Sequence, residues 1–388
     1  MTSQPAPSGA LRFDPADLPD GHVELRAEVR AFIDAERARG TRLGGDWSAR
    51  YDTEFSGRLG RAGFIGMTWA KEYGGHERSA LERYIVTEEL LSAGAPVGAH
   101  WVADRQSSQL LLRFGTEEQR KALLPGIARG ENFFCIGMSE PDSGSDLASI
   151  RTTAKKTDGG WLINGTKLWT SAAHICHYMI ALVRTAPASD DRHAGMSQMI
   201  IDLKAPGVII RPIRNLAGDA HFNEEVFTDY FVPDDRVVGE IGDGWNQVVS
   251  ELGYERSGPE RFLSTFSVFV ELVRAVGPDP SPRTVEAFGR LAAHVMTLRS
   301  MSLSVAGMLQ QGLLPNVEAA VVKDLGTNFA KALPEVARTI IQAEPDVDIG
   351  PAFEEAWIEG LLYAPAFTIQ GGTREILRGV IARGLGLR

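Results

Sequence analysis

Cysteine is scarce in this sequence, with Cys135 and Cys176 the only two among 388 residues. One disulfide between them is the alternative, but we expect both thiols to be reduced in a cytosolic chain. No apolar run approaches the roughly 18 residues that a membrane span needs. The first ten residues lack the basic start and apolar core of a secretory signal. We therefore expect a cytoplasmic protein without a membrane span.

Positive charge is also in short supply. The 40 lysine and arginine residues face 50 aspartate and glutamate residues, which gives a formal net charge of −10. This balance argues against a general nucleic-acid-binding protein. It leaves room for a local basic pocket that binds an anionic ligand. The length is sufficient for two or three domains.

The spacing of apolar residues changes twice along the chain. Helical spacing prevails in residues 1–131, short strand-like runs in 132–243, and helical spacing again in 244–388. We predict an α+β protein with an N-terminal helical domain, a middle β-barrel or sandwich domain, and a C-terminal helical domain with these bounds. Within the middle block, Asn164-Gly165 lies between apolar residues and predicts a hairpin turn.

Two polar segments of the middle block have the composition of ligand-binding sites. Residues 138–146 read MSEPDSGSD, where Gly144 lets the backbone approach a ligand and the turn can present N–H groups to a phosphate. Residues 167–171 read KLWTS, where Trp169 could stack on a flat ring beside two hydroxyls. A plain polar turn and an ordinary half-buried tryptophan are the structural alternatives.

A third segment, LGYERSGPE at 252–260, contains a candidate general base. Ser257-Gly258-Pro259-Glu260 predicts a helix start, so the preceding helix is expected to end near Arg256. Glu255 would then lie at a helix C-terminus, where the macrodipole raises the pKa of a carboxylate. A surface Glu–Arg pair is the alternative, and a helix continuing through a proline kink would remove the dipole effect.

The segment His174-Ile175-Cys176-His177 has three metal-ligating residue types in four positions. Side chains so close together on a strand-to-turn segment do not converge easily on one ion, and no fourth ligand stands out. We expect no metal site there.

Together these motifs resemble those of the flavin-dependent acyl-CoA dehydrogenases. MSEPDSGSD is similar to the first signature of that family, KLWTS to its flavin segment, and GGTREILRGVIARGLGLR at 371–388 to its C-terminal signature. The stretches FNEEVFTDYFVPDDRVVGEIGDGW and YERSG also match in type and order. The resemblance implies a helical domain, a β domain and a C-terminal four-helix bundle, with FAD between the last two.

The resemblance also implies site residues. Those expected at FAD are Ile136, Met138, Ser139, Gly144, Ser145, Trp169, Thr170, Ser171, Thr373 and Glu375. Those expected at the CoA portion are Ser145, Tyr254 and Arg256. In the family reaction a carboxylate removes the α proton of an acyl-CoA thioester, flavin N5 accepts the β hydride, and a 2-enoyl-CoA forms. A backbone N–H and a ribityl hydroxyl of FAD hold the thioester oxygen.

One departure from the family concerns the base. Many members have glutamate directly before the Gly-Thr of the C-terminal signature, but Gly371 stands there. Glycine can offer an N–H to the thioester oxygen and cannot accept a proton. A minority of the family has its base in a Leu-x-x-Glu-Arg segment, which corresponds to Glu255 here, with Glu251 as the fallback. Several bacterial members share these two features, and many of those act on bulky or branched acyl groups.

A second departure concerns assembly. Family members usually have an arginine three residues before a Phe-Gly pair, and it reaches the FAD of a neighbouring subunit. Here Val285 precedes Phe288-Gly289, and the family's glycine-pair segment is not visible between Leu333 and Leu361. We expect a homo-oligomer, dimer or tetramer, or pairing with a related subunit, and an electron-transferring flavoprotein as acceptor. A non-catalytic subunit, an oxidase or hydroxylase, and an enzyme for carrier-protein thioesters are the alternatives.

Overall fold

The computed structural model describes residues 11–187, 189–344 and 347–387, apart from the side chains of residues 49 and 252–255. The N-terminal helices are α1 His22–Arg39, α2 Thr53–Arg61, α3 Ala80–Ser92, α4 Gly98–Val102, α5 Ser108–Phe114 and α6 Glu117–Ala128. Reciprocal side-chain caps begin two of them: Ser79 with Glu82 for α3, and Thr116 with Gln119 for α6. The chain therefore ends α5 at Phe114 and begins α6 directly after the Thr116 cap.

The middle block forms one eight-stranded sheet in the order β6-β7-β3-β2-β4-β5-β8, with β1 paired to β4. The strands are β1 Phe134–Gly137, β2 Thr153–Thr157, β3 Gly160–Ser171, β4 Tyr178–Arg184, β5 Met196–Asp202, β6 Val208–Ile213, β7 Phe222–Pro233 and β8 Val237–Val238. Inward-facing side chains such as Ile163, Met179 and Ile201 form its core. With helices before and after this sheet, the α+β prediction is confirmed.

The hairpin predicted at Asn164-Gly165 is wrong, because both residues lie inside the continuous strand β3. A bulge opposite β7 accommodates them, and the Asn164 amide exchanges hydrogen bonds with the backbone and side chain of Asp229. Glycine is required at this point because a Cβ on Gly165 would lie 2.5 Å from Thr152 Oγ1. Asn-Gly, the pair that two-residue hairpin turns prefer, here forms a bulge and allows the backbone of Gly165 to lie close to Thr152.

The C-terminal helices are α7 Gly244–Glu255, α8 Glu260–Leu263, α9 Phe266–Val276, α10 Pro282–Gln310, α11 Asn316–Ala343, α12 Gly350–Phe367 and α13 Arg374–Gly384. Helix α11 packs against α9, α10, α12 and α13. The end of α7 at Glu255 confirms the predicted stop near Arg256. The sequence analysis missed α12, which begins with Gly350-Pro351 and contains Pro365, so its breakers hid a helical segment.

The contacts divide the chain into two compact units. One comprises the described residues up to Trp47, Ser79–Ala95 and those from Glu255 onward; the other comprises Ser48–Arg78 and Pro96–Tyr254. The first holds α1, α3 and α8–α13, and the second holds the sheet with α2 and α4–α7. The boundaries predicted at 131/132 and 243/244 stay predictions. None of the described helices combines the length and apolar character of a membrane span.

His100 on α4 generates a prediction for acid stability. Its ring is buried against Ser56 Oγ at 2.8 Å, and burial lowers its pKa to about 3. Its contribution to the free energy of unfolding is therefore complete above pH 6.5 and lost as pH falls from 6.5 towards 3. We expect His100→Gln to reduce the pH slope of stability in this window by up to about 1.4 kcal/mol per pH unit.

Urea unfolding of the variant and wild type at several pH values measures this slope. His193→Gln is the matched control, because that ring is exposed. Equal slopes for His100→Gln and wild type would contradict the assignment of a buried neutral imidazole.

Candidate active site

A buried ion pair holds the loop 138–146 against the sheet. The Lys167 ammonium on β3 donates to Glu140 Oε1 at 2.8 Å and to the Met138 carbonyl at 3.0 Å. The Glu140 carboxylate also accepts from the backbone N–H groups of Arg151 and Thr152, at 2.6 and 3.0 Å. The pair therefore joins the loop to β3 and to the chain leading into β2.

Both members of this pair are charged at neutral pH. Burial alone would raise the pKa of Glu140, but the Lys167 ammonium and the two N–H donors hold it below its usual value. Burial lowers the pKa of Lys167 to about 8. The sequence analysis missed both residues, although a lysine at an inward position of an alternating strand is a signal for a buried partner.

The loop exposes the residues predicted to bind FAD. Ser139 is half-buried, and its carbonyl accepts from the Leu168 N–H at 2.9 Å. Gly144 and Ser145 are exposed, and a Cβ at Gly144 would have no neighbour within 4 Å. The buried Ser143 stabilises the turn by donating to the Asp146 carbonyl at 2.8 Å. Ile136 and Met138, also predicted at FAD, are half-buried at the end of β1 and the start of the loop.

The end of β3 presents an aromatic surface. Trp169 has a φ of +66°, at a register shift between β3 and β7, and its side chain is 56% exposed. A non-glycine residue in this left-handed region is uncommon and is typical of functional sites. Phe222 supports the indole edge-on, at 5.9 Å between ring centroids.

The two residues after Trp169 differ in environment. Thr170 is buried and its hydroxyl donates to Glu225 Oε2 at 2.6 Å, so this hydroxyl faces the sheet interior. Burial raises the pKa of Glu225 to about 8 against the opposing effect of that hydrogen bond. Ser171 is half-buried, and its hydroxyl lies 3.2 Å from His221 Nε2.

The second candidate region is the Gly371-Gly372-Thr373 turn. Its glycines have φ values of +62° and +102°, which other residues rarely adopt. Thr373 caps α13 by accepting from the Ile376 N–H. The wholly buried Lys323 on α11 donates to the Gly372 carbonyl at 2.7 Å.

Charged groups fix the first turns of α13 beside this glycine turn. Asp324, next to Lys323 on α11, pairs with Arg374 at 3.2 Å and Arg378 at 3.5 Å. Glu375 is exposed, and hydrogen bonds from its own N–H and from the Thr373 hydroxyl lower its pKa. Lys323 and Asp324 on α11 therefore hold this turn and the start of α13 in place. Neither residue was predicted from the sequence.

The segment after α7 lies beside the glycine turn. Arg256 is buried, and its Nη2 lies 3.6 Å from the position that a Cβ on Gly372 would occupy. The side chains of Tyr254 and Glu255 lie outside the described residues. Glu251, the fallback base, is buried, and its Oε1 accepts from the Gln198 amide on β5 at 3.0 Å.

The candidate metal ligands at 174–177 point to separate partners. His174 Nδ1 lies 3.1 Å from Asn223 Oδ1, and His177 Nδ1 accepts from the Phe133 N–H at 3.1 Å. Cys176 is buried in the core of the sheet. Within the described ranges, no group of three or more His, Cys, Asp or Glu side chains is arranged to hold a metal ion.

Comparisons with known proteins agree with this arrangement. Two family models match, "Acyl-CoA dehydrogenase, N-terminal domain" over residues 19–131 and "Acyl-CoA dehydrogenase, middle domain" over residues 135–230. The acyl-CoA dehydrogenase IpdE1 of Mycobacterium tuberculosis is 35% identical over 382 residues, which cover 94% of this chain and 97% of that protein. The chain belongs to the acyl-CoA dehydrogenase family. The expected family, enzyme class and family fold are confirmed.

Solved structures extend this likeness over nearly the whole chain. A structure described as "Tcur3481-Tcur3483 steroid ACAD" has a TM-score of 0.82 at 28% identity, covering 96% of this chain and 98% of its own. The ChsE4-ChsE5 complex from Mycobacterium tuberculosis has a TM-score of 0.81 at 28% identity, covering 96% and 99%. This acyl-CoA dehydrogenase is an oxidoreductase of a flavoprotein family whose cofactor is FAD.

The residues present fit a flavin nucleotide. An exposed indole at the end of β3 offers a flat apolar face for a ring system. The exposed Gly144-Ser145 turn has space above its backbone and a hydroxyl for a phosphate. The charged pair of Glu140 and Lys167 holds the two segments in fixed relation within the sheet unit.

Removing Lys167 tests the role of that pair. In Lys167→Met the Glu140 carboxylate keeps its backbone donors but loses its counter-charge in a buried position. We expect the free energy of unfolding to fall by roughly 3–5 kcal/mol, measured by urea titration. Lys156→Met is the matched control, because that lysine pairs with Asp234 at the surface and is worth at most about 1 kcal/mol. Equal losses in the two variants would refute the structural role of Lys167.

Proposed function

We propose that this enzyme converts an acyl-CoA thioester to the 2-enoyl-CoA, with Glu255 removing the α proton. The observation that carries the proposal is the position of Arg256 against the Gly371-Gly372 turn. Glu255 directly precedes this arginine, which supports a base close to the turn where many relatives have theirs. The Leu-x-x-Glu-Arg layout and the stop of α7 at Glu255 support the same residue.

The end of α7 suits a general base. A carboxylate at a helix C-terminus faces the negative end of the macrodipole, which raises its pKa towards the pH at which it works. Glu251 is the weaker candidate, because its carboxylate accepts from Gln198 on β5.

The glycine turn would stabilise the developing enolate. The N–H of Gly371 is our candidate donor to the thioester oxygen, and the positive φ values of both glycines give this turn its shape. The ammonium of Lys323, bound to the Gly372 carbonyl, restrains the turn and places a positive charge beneath it. Glycine at 371 thus keeps the donor and transfers proton removal to Glu255.

Within the sheet unit, FAD would be held by the loop 138–146 and by the end of β3. The proposed contacts in this unit are Ile136, Met138, Ser139, Gly144, Ser145, Trp169, Thr170 and Ser171, and those in the other unit are Thr373 and Glu375. Thr170 would make its contact through the backbone, because its hydroxyl donates to Glu225. When bound, FAD supplies the acceptor for the hydride from the β carbon of the acyl group. Ser145, Tyr254 and Arg256 are our candidates for binding the CoA portion, and an electron-transferring flavoprotein for the final acceptor.

The proposed acyl group is bulky. A neighbour at 28% identity is described as a steroid ACAD, and the combination of Gly-Gly-Thr with Tyr-Glu-Arg supports the same class. A panel of straight, branched and polycyclic acyl-CoA thioesters ranks these substrates by kcat/KM.

Replacing Glu255 tests the proposed base. Glu255→Gln removes the proton acceptor while keeping size and polarity, so acyl-CoA should still bind. We expect the rate of flavin reduction by acyl-CoA to fall roughly 100- to 10,000-fold, measured by anaerobic stopped-flow absorbance. The FAD content should stay as in wild type.

Glu251→Gln is the matched control for this experiment. It removes a carboxylate from the preceding turn of the same helix, one that bonds to Gln198. A normal reduction rate in Glu255→Gln, together with loss of reduction in Glu251→Gln, would transfer the role to Glu251.

We further propose that the chain pairs with a related subunit. One neighbour at 28% identity is described as the ChsE4-ChsE5 complex, and another at 28% identity has the paired name Tcur3481-Tcur3483. Val285 supports the idea, because it is 53% exposed on α10 at the slot where family members usually have an arginine for the FAD of a neighbouring subunit. A partner that has this arginine would supply it.

Val285 gives this pairing a direct test. We expect the chain purified alone to have less than one FAD per chain, and Val285→Arg to raise this ratio by restoring the missing cation. The FAD absorbance per protein mass measures this ratio in each protein, and the mass in solution gives the oligomeric state of each. Met296→Arg, also on an exposed position of α10, is the control. Full FAD occupancy of the unmodified chain alone would contradict the pairing.

A further inference from the structure

Three side chains at the end of β3, those of Tyr51, His221 and Ser171, are linked by hydrogen bonds. His221 precedes β7, and its Nε2 lies 3.2 Å from the Ser171 hydroxyl. On the other side of the ring, its Nδ1 is hydrogen-bonded to the Tyr51 hydroxyl. The Ala172 N–H donates to the His221 carbonyl at 2.9 Å, which fixes the ring beside the strand end. All these residues belong to the sheet unit.

The environment of His221 favours a neutral ring. It is 5% exposed, its ring plane is nearly parallel to that of Tyr51, and Phe222 packs edge-on at 4.4 Å. Burial lowers its pKa to about 4, with His174 lowering it further and Asp219 opposing. A neutral imidazole has one donor and one acceptor nitrogen, and the hydrogen bond at one nitrogen determines the other.

The two hydroxyl partners differ in acidity, which decides the tautomer. A phenol, with a pKa near 10, donates more strongly than an aliphatic hydroxyl, and an imidazole nitrogen is the stronger acceptor. The Tyr51 hydroxyl therefore donates to Nδ1, and the proton of the ring is on Nε2. The Nε2–H then donates to Ser171 Oγ, so the hydroxyl hydrogen of Ser171 is directed away from His221.

We propose that Tyr51 and His221 are positioning residues that make the Ser171 hydroxyl a hydrogen-bond donor to an acceptor atom of the flavin ring. Ser171 follows the exposed Trp169 by two positions on β3, and the intervening Thr170 is buried with its hydroxyl donating to Glu225. The half-buried Ser171 is therefore the residue after the indole whose hydroxyl is not bound to the interior carboxylate, and it lies next to the surface where the ring would stack. This inference rests on the FAD site of the proposed function and extends it to two residues that do not touch the ligand.

The tautomer of His221 can be measured without substrate. Nitrogen-15 NMR of the full chain with labelled histidine reports which ring nitrogen has the proton, and His221→Gln identifies the resonances. We expect Nε2 protonated and Nδ1 unprotonated in wild type, and a mixture of tautomers in Tyr51→Phe. A proton on Nδ1 in wild type would overturn the proposal.

The affinity for FAD tests the contact itself. Loss of one hydrogen bond should weaken FAD binding to the apoprotein about fivefold in Ser171→Ala, and part of this loss should appear in Tyr51→Phe. Tyr73→Phe is the matched control, because its hydroxyl bonds to Glu117 elsewhere in the same unit. Binding is measured by fluorescence quenching during FAD titration.

The outcomes separate the parts of the account. Unchanged FAD affinity in Ser171→Ala would overturn the contact, whatever the tautomer. Suppose instead that Ser171→Ala weakens FAD binding but Tyr51→Phe has the same FAD affinity as the control Tyr73→Phe. That result would overturn the roles of Tyr51 and His221. Neither readout depends on Glu255, so the proposed base stands or fails separately in the flavin-reduction experiment.

Discussion

The buried ion pair between Lys167 and Glu140 is the interaction on which the sheet side of the site depends. Its value is positional, because buried pairs of this kind contribute little net stability compared with apolar residues of the same size. The lysine binds a loop carbonyl, and the glutamate binds two backbone N–H groups of the chain entering β2. Two segments distant in sequence, 138–146 and 167–171, are thereby fixed in one arrangement.

A second buried lysine has a corresponding role in the helical unit. Lys323 binds the Gly372 carbonyl, and the adjacent Asp324 binds two arginines of α13. The glycine turn needs this support because glycine has no side chain to fix its own conformation. Glycine at 371 has an N–H donor but lacks the carboxylate that many family members have at this position. Proton removal by this enzyme would therefore need a carboxylate from another element, and our proposed base is Glu255, at which α7 ends.

Sequence patterns predicted most of the fold because the signals were local. The strand-like apolar run of β4 and the stop of α7 both follow from short-range preferences. Two predictions failed for physical reasons. Asn164-Gly165 forms a bulge because a neighbouring strand, not the local residues, fixes the register, and α12 was obscured by its prolines.

The candidate site divides in the same way. Motif residues such as Ser145, Trp169 and Gly371 could be found from the sequence, because each lies in a short segment that resembles a signature of the family. Their supports, Lys167, Lys323 and His221, could not, since each acts through a partner far away in sequence. Only the folded chain shows that a lysine on α11 meets a carbonyl before α13.

Anaerobic mixing of the purified, FAD-loaded enzyme with a panel of acyl-CoA thioesters tests the central claim most directly. The account predicts that at least one bulky acyl-CoA bleaches the oxidised flavin band and is recovered as a thioester lacking two hydrogens. Retention of the oxidised spectrum with every thioester, or a product that has gained oxygen, would contradict it.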